Sequence, residues 1–354
     1  MAHLPARTPY ARKLAGGSLV IVNNTTAAHA GLVPRDMSFQ WLRDQPSFDF
    51  FDVLHVHSLE LAADDDIEAV LDRCDREGKQ VVCTVHDVTP MFNPDQDVYA
   101  RQLRGLADRK IALITLAEGA AGALRQALGD EQHVTVLPHG HVLPLHDPRW
   151  QSPPRRSEPG RPTKFAMYGG FRPNRRMFPV VVNLLFGNLG GPATVSILTR
   201  AVSPVELDTN RDLGSVVNAA LARPEQVNLR LSPFPRDHEI ADFLLAADVL
   251  VLPYLWGTHS GQLELAFDLG IVPVVANVGY LREQWQRYEG IVPEPIWFDW
   301  ADDYQQGARI LAALQDAVRR QNEWTTTRHT LLDLRSAEHD GLRVQCRRAA
   351  DQRC

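Results

Sequence analysis

The sequence predicts an α/β protein made of two Rossmann-like, doubly wound domains facing across a cleft. Three observations lead there. Through the first 140 residues, short strand-like runs alternate with helical stretches. A proline-rich break comes next, and beyond it the same alternation begins again. Strands separated by helices are the pattern of a parallel sheet covered on both faces, and 354 residues suffice for two separate cores.

In chain order, the first half offers strands at residues 19–23 (LVIVN), 51–57 (FDVLHVH), 81–86 (VVCTVH), 111–116 (IALITL) and 134–140 (VTVLPHG). Helical stretches such as 67–78 (IEAVLDRCDREG) lie between them. Residues 144–162 hold too many prolines for either element and read as a linker. The second half offers strands at 164–170 (KFAMYGG), 194–199 (TVSILT), 227–232 (VNLRLS), 248–253 (DVLVLP) and 272–277 (VPVVAN), with a helix at 239–247 (EIADFLLAA). The expected boundaries are a first domain at 1–145, a linker at 146–163, a second domain at 164–322 and a helical tail at 323–354.

Composition narrows the function classes. The net charge of −6 falls entirely in residues 1–145, where 13 basic face 19 acidic side chains. Such a surface offers little to nucleic acid or an anionic bilayer, and an uncharged or cationic partner fits it better. No apolar run approaches the roughly 18 to 20 residues of a membrane span. Arg7, Arg12 and Lys13 precede an apolar run that lacks a small-residue cleavage site, so no signal peptide is read and the cytoplasm is expected. Cys74, Cys83, Cys346 and Cys354 lie far apart without CxxC spacing, which predicts reduced thiols rather than disulfides or a zinc site.

The densest chemistry lies in residues 248–279, which read as strand, small-residue loop, helix and strand. Gly257, Thr258, His259, Ser260 and Gly261 form the loop, where backbone amides and a helix N-terminus can receive a diphosphate. Glu264 sits one turn into the helix on the Ser260 face, placed to accept both hydroxyls of a ribose. The plain alternative is an ordinary βαβ unit with a surface glutamate. Ligands in open α/β sheets gather at the carboxyl ends of strands. There the KFAMY strand runs into Gly169, Gly170, Phe171, Arg172, Pro173, Asn174 and Arg175. The glycines allow a tight turn, and two arginines three residues apart can bracket a diphosphate, although a solvated basic turn would look the same.

These blocks resemble the donor-binding signature of family 4 retaining glycosyltransferases, of the GT-B class. There a Glu-x7-Glu pair is followed by a helix, then Gly, Pro and a strand. Glu264 matches the second Glu and residues 270–275 (GIVPVV) match the trailing segment. The first Glu falls on Trp256, which would stack on a pyranose face or fill the cleft. The family's Gly–Arg–Lys loop is matched with Arg175 in the Lys place. The likeness covers mainly residues 165–290 and is thinner over 51–140. It implies a UDP-linked sugar as donor, no further cofactor, and a final helix that returns to the first domain. It also implies Arg172, Arg175, Glu264 and His86 as the catalytic set, with Gly169, Gly170 and residues 257–261 holding the donor.

The first domain then becomes the acceptor side. His86 and Asp87 end the VVCTV strand, and a family histidine at the matching place lies near the transferred sugar. His55 and His57 alternate onto one strand face. They would suit zinc only with a third ligand that the spacing does not supply, so His57 is expected at the acceptor. His139 ends the last strand, Glu118 either contacts the acceptor or starts a helix, and Asn23 and Asn24 either contact it or turn the chain. Asp64, Asp65 and Asp66 look like a metal-holding acid cluster, but they directly precede a helix and are expected to cap it and complement its dipole. The function expected is hexose transfer from a UDP-sugar to a hydroxyl of a small soluble acceptor, without metal. A nucleotide-sugar-binding protein without transfer is the main alternative, and a GT-B epimerase is a third.

Overall fold

The central strands of both sheets, such as Ala112–Thr115, Val249–Leu252 and Val272–Ala276, are buried on both faces, as near-continuous apolar runs in parallel sheets are. The structure, a computed structural model, describes residues 2–4, 28–29, 33–34, 38–60, 62–91, 95–152, 160–200, 204–232, 235–301, 305–321, 324 and 328–351. The chain divides into two units, residues 1–140 with 336–354, and residues 141–335.

The first unit carries β1 (Ala2–Leu4), the two-residue pair β2 (Ala28–His29) and β3 (Val33–Pro34), α1 (Phe39–Arg43), β4 (Val53–Val56) and α2 (Asp64–Arg76). It continues with β5 (Gln80–Thr84), α3 (Gln96–Asp108), β6 (Ala112–Thr115), α4 (Glu118–Leu128) and β7 (Val134–Val136). Its main sheet is parallel, in the order β1-β4-β5-β6-β7, so the described strands run straight across it with no reversal. Alternation divides the core. Val81, Cys83 and Val85 join Leu54, Val70 and Leu106 on one face. Val82, Ala112 and Ile114 join Leu137 on the other, where Leu342 of the last helix completes the packing. The strand beside β4 is Ala2–Leu4, a three-residue run too short to carry a periodic signal. The strand expected at 19–23 lies outside the described residues, as do Asn23 and Asn24.

The second unit opens with a 3-10 turn at Pro148–Gln151, started by Asp147, whose Oδ1 accepts from Arg149 N at 2.9 Å, with proline in the first turn. Trp150 on that turn is buried in the unit's core and donates to Pro144 O at 3.0 Å. The first part of the expected linker is therefore folded into the second unit, because one indole outweighs the surrounding prolines. Then come β8 (Thr163–Tyr168), α5 (Phe178–Phe186), β9 (Ala193–Thr199), α6 (Pro204–Thr209), α7 (Arg211–Ala222), β10 (Val227–Leu231), α8 (Asp237–Leu245) and β11 (Val249–Leu252). The unit closes with α9 (Gly261–Leu269), β12 (Val272–Ala276), α10 (Leu281–Gln286), β13 (Ile296–Phe298), α11 (Gln305–Arg320) and the start of α12 (Arg328–Asp351).

Its sheet is parallel throughout, in the order β10-β9-β8-β11-β12-β13. The strand order reverses between β8 and β11, which makes the carboxyl ends of those two strands the topological switch point, where such sheets bind ligands. β13 was not expected from the sequence; it is three residues long and preceded by two prolines, too brief for a period to register. The tail helix α12 serves both units, with Leu331 in the core of the second and Leu342 in that of the first. Both units are Rossmann-like.

One local expectation changes. Residues 64–66 occupy the first turn of α2 and complement its dipole, but the N-cap is Ala63, with no side-chain cap bond. Asp66 pairs with Arg43, and Asp64 Oδ1 accepts from Gln102 Nε2 at 2.8 Å, so these carboxylates are drawn to neighbouring side chains. Cys74 and Cys83 are buried. Among the described residues no helix is long and apolar enough to cross a membrane.

Candidate functional site at the switch point

The two loops that leave β8 and β11 are stitched to each other. Leu255 N donates to Asn174 O at 2.8 Å, Arg176 N to Pro253 O at 3.1 Å, and Arg175 forms an isolated antiparallel bridge with Tyr254. Asn174 is buried and its Nδ2 donates to Trp256 O at 3.1 Å, while its Oδ1 has no partner among the described residues. An i to i+3 bond from Arg175 N to Arg172 O, 3.1 Å, tightens the first loop. Gly169 is obligatory here. Its φ is +113°, and a Cβ on it would lie 2.2 Å from Arg175 Nη1 and 3.1 Å from Gln262 Nε2.

Beyond Tyr254 the chain reaches the N-terminus of α9. Ser260 is the N-cap, extended at φ −136° and ψ 113°, and its Oγ accepts from Leu263 N at 3.2 Å. The amides of Gly261 and Gln262 have no intrahelical acceptor, leaving two donors at the positive end of the helix dipole. Gln262 Nε2 donates to Tyr168 O at 2.9 Å, which ties α9 to the end of β8, while its Oε1 is buried without a partner among the described residues. From the far side the loop after β12 presses close: a Cβ on Gly279 would lie 1.7 Å from Gly257 O, and Tyr280 N donates to Thr258 O at 3.1 Å.

The sequence-predicted donor residues therefore converge, but in three different roles. Gly169, Gly170 and residues 257–261 follow β8 and β11 and lie at the switch point. Arg172 is partly exposed beside it: a Cβ on Gly170 would lie 3.8 Å from Arg172 Nε and 3.7 Å from Arg200 Nε. Arg175 is committed to the protein. Nη1 donates to Tyr168 O at 2.8 Å, Nη2 to Tyr254 OH at 3.0 Å, and the guanidinium carbon lies 4.6 Å from the Tyr254 ring centroid. Tyr254 OH in turn lies 2.9 Å from Ser260 Oγ. Arg175 thus frames the loops rather than facing outward, a correction to its expected place on the diphosphate.

Glu264 departs furthest from expectation. It is only 2% exposed. Its Oε1 accepts from Gln284 Nε2 at 2.9 Å and its Oε2 pairs with Arg335. The carboxylate expected to be open to a ribose is enclosed instead, with a protein donor on each oxygen. Burial pushes the Glu264 carboxyl above its ordinary range, with the Arg335 charge acting against that shift. Gln284 and Arg335 were missed by the sequence reading. They lie 20 and 71 residues from Glu264, and no local spacing links them.

In the first unit the residues expected at the acceptor sit at the carboxyl ends of parallel strands. His57 Nδ1 and His86 Nε2 are 3.3 Å apart, His55 Nε2 and Thr84 Oγ1 are 2.7 Å apart, and the His55 and His57 rings lie 4.0 Å apart. The structure thus assembles an imidazole row across β4 and β5. Asp87 is buried next in line, its carbonyl accepting from Tyr99 OH at 2.8 Å. His139 is buried after β7, with Nδ1 3.2 Å from Gly140 O. Glu118 is the exposed first residue of α4, a place where its charge complements the helix dipole. Among the described residues no group of three or more His, Cys, Asp or Glu could hold a metal ion.

No protein-family model and no curated protein sequence matches the chain. Solved structures do. HepE from Anabaena, crystallised in complex with UDP, matches with a TM-score of 0.60 at 12% identity, over 89% of this chain and 80% of its own. Sucrose-phosphate synthase from Thermosynechococcus elongatus matches with a TM-score of 0.59 at 13% identity, over 86% and 74%. The pneumococcal O-GlcNAc transferase GtfA, in complex with UDP and GlcNAc, matches with a TM-score of 0.55 at 12% identity, over 85% and 56%. At this identity the likeness speaks to fold, which is the GT-B architecture that these proteins share.

Proposed function

We propose that the chain is a retaining glycosyltransferase that moves a hexose from a UDP-sugar to a hydroxyl of a small soluble acceptor. The observation that carries this reading is the convergence at the β8–β11 switch point of a glycine-rich turn, Arg172 and the open N-terminus of α9. Each of these suits a diphosphate, and together they suit one that is leaving. The fold shared with HepE, which has been crystallised with UDP and glucose, supports the same assignment.

Breaking the bond between sugar and phosphate concentrates negative charge on the nucleoside diphosphate. Fixed donors aimed at that charge stabilise the transition state more than the ground state. In this reading Arg172 and the Gly261 and Gln262 amides supply those donors. Arg175 holds the loops that carry them, and Glu264 acts behind them rather than on the ribose. His86 donates to or accepts from a hydroxyl of the transferred sugar. His57, Asp87, His139 and Glu118 are assigned to the acceptor side, whose acidic first half suits an uncharged or amine-bearing molecule. Retention rests on the resemblance to family 4: the acceptor hydroxyl attacks on the face from which the phosphate departs, and that phosphate takes its proton. The charge is handled by guanidinium and amides, so the reaction is expected to proceed in EDTA.

The test is incubation with a panel of UDP-sugars and amino-sugar or polyol acceptors, read by mass spectrometry, with the anomeric configuration of any product read by NMR. A product whose anomeric configuration matches the donor supports the reading. UDP binding with no glycoside formed from any pair would leave a nucleotide-sugar-binding protein in its place.

A further inference from the structure

The N-terminal turn of α9 is held from behind by buried polar groups. Gln284 on α10 is 8% exposed and grips Ser260 on both sides. Its Oε1 accepts from Ser260 N at 2.9 Å, and its Nε2 donates to Ser260 O at 2.8 Å and to Glu264 Oε1 at 2.9 Å. Those two backbone atoms belong to the two peptide planes that meet at the Ser260 Cα. Pinning both sets φ and ψ of the N-cap. The Ser260 carbonyl is coplanar with the Gly261 N–H, so fixing the carbonyl aims that amide directly.

Glu264 is held in turn. Arg335 is fully buried; its Nη2 pairs with Glu264 Oε2, and its Nε lies 3.2 Å from Asp268 Oδ1. Its guanidinium carbon sits 4.3 Å from the Tyr288 ring centroid, and Nη1 donates to Tyr288 OH. Glu264 and Asp268 are one turn apart on α9, so one guanidinium spans both. Asp268 Oδ2 also accepts from Val142 N at 2.7 Å and Leu143 N at 3.0 Å, which anchors α9 to the start of the unit. A buried charge cluster with every member bonded resists rotation of the helix, because removing one bond leaves an uncompensated charge.

We propose that Gln284 and Arg335 are positioning residues for the donor diphosphate, which by way of Glu264 aim the Gly261 and Gln262 amides at it. This rests on the reading that the diphosphate lies at the N-terminus of α9. It gives Glu264 a role behind the site and assigns function to two buried residues that pack behind the helix.

The experiment measures UDP and uridine affinity by calorimetry on the full chain, alongside thermal unfolding. Gln284→Met keeps the side chain's length and removes all three bonds. UDP affinity is expected to fall by roughly 10-fold or more, the scale of one or two hydrogen bonds. Uridine, which has no phosphate, is expected to keep its wild-type affinity. Arg335→Lys, which keeps the charge and loses the fork, is expected to give a smaller loss for UDP alone. Equal weakening of UDP and uridine, or no weakening of either, overturns the proposal. If Gln284→Met does not fold, Gln284→Glu, which keeps the acceptor for Ser260 N and loses both donated bonds, carries the same readout. Arg172→Ala separates the two levels. If the wild type binds no UDP, the donor-site reading fails. If it binds UDP and Arg172→Ala weakens it while Gln284→Met does not, the positioning proposal fails alone.

Discussion

The carboxyl ends of the two sheets carry opposite chemistry. In the second unit the strand order reverses at β8 and β11. Arg172, the glycines and the N-terminus of α9 lie at the carboxyl ends of those strands. In the first unit the described strands run straight across, and their ends carry a row of imidazoles with His57 and His86 3.3 Å apart. In the proposed reading one edge neutralises an anion and the other exchanges hydrogen bonds with neutral groups. The same fold is thus specialised by the residues at the ends of its strands, which is why the fold alone does not assign function.

If that contrast is right, the largest effect comes from the charge on the anion side. Arg172→Ala is expected to lower turnover by roughly 100-fold or more, the scale of removing one donor from a developing anion; a near-normal rate would remove Arg172 from the mechanism. Next comes Gly169→Ala, which places a Cβ at φ +113° against the Arg175 guanidinium. It is expected to cost about 2 kcal/mol of stability and to weaken UDP binding. Denaturant unfolding checks the first effect and calorimetry the second.

On the imidazole side, His86→Ala is expected to lower transfer by roughly 10-fold while leaving UDP affinity unchanged, since a single hydrogen bond to the sugar is lost. A parallel loss of UDP affinity would erase the division between the two edges. The smallest effect is on pH dependence. Burial raises the Glu264 carboxyl above its ordinary 4.5, so the folded state holds this proton more tightly than the unfolded chain. The stability it contributes is complete below that value and declines as pH rises through the folded one. The advantage of the wild type over Glu264→Gln in melting temperature is therefore expected to shrink as pH rises from 4.5 toward neutrality. A gap that widens with rising pH would mean that the folded carboxyl ionises more readily than in the unfolded chain.

Much of the second unit was legible. β8, β9, β10, β11 and β12 all fall on the strand-like runs read from the sequence, and α9 ends at Gly270 as its stop residue indicates. Gly169 and the 257–261 loop could be read because glycine carries a backbone meaning wherever it stands. Arg172 and Arg175 were legible as a pair and not as individuals. Three residues apart on a loop, they are equivalent in sequence, and only Tyr254 and the Tyr168 carbonyl decide that Arg175 turns inward. Trp150 was hidden for a similar reason, since proline content describes local backbone preference and says nothing about an indole finding a core.

By itself the sequence determined the period, length and punctuation of the elements, and with them two parallel sheets and the loops at their carboxyl ends. Those properties are local, set within a few residues by side-chain alternation and backbone freedom. The tertiary structure alone decided which charges face outward and which are spent internally. Glu264 meets Arg335 across 71 positions and Gln284 across 20. Contacts at that separation arise only when the helices pack, and burial then makes each unbonded charge too costly to leave open.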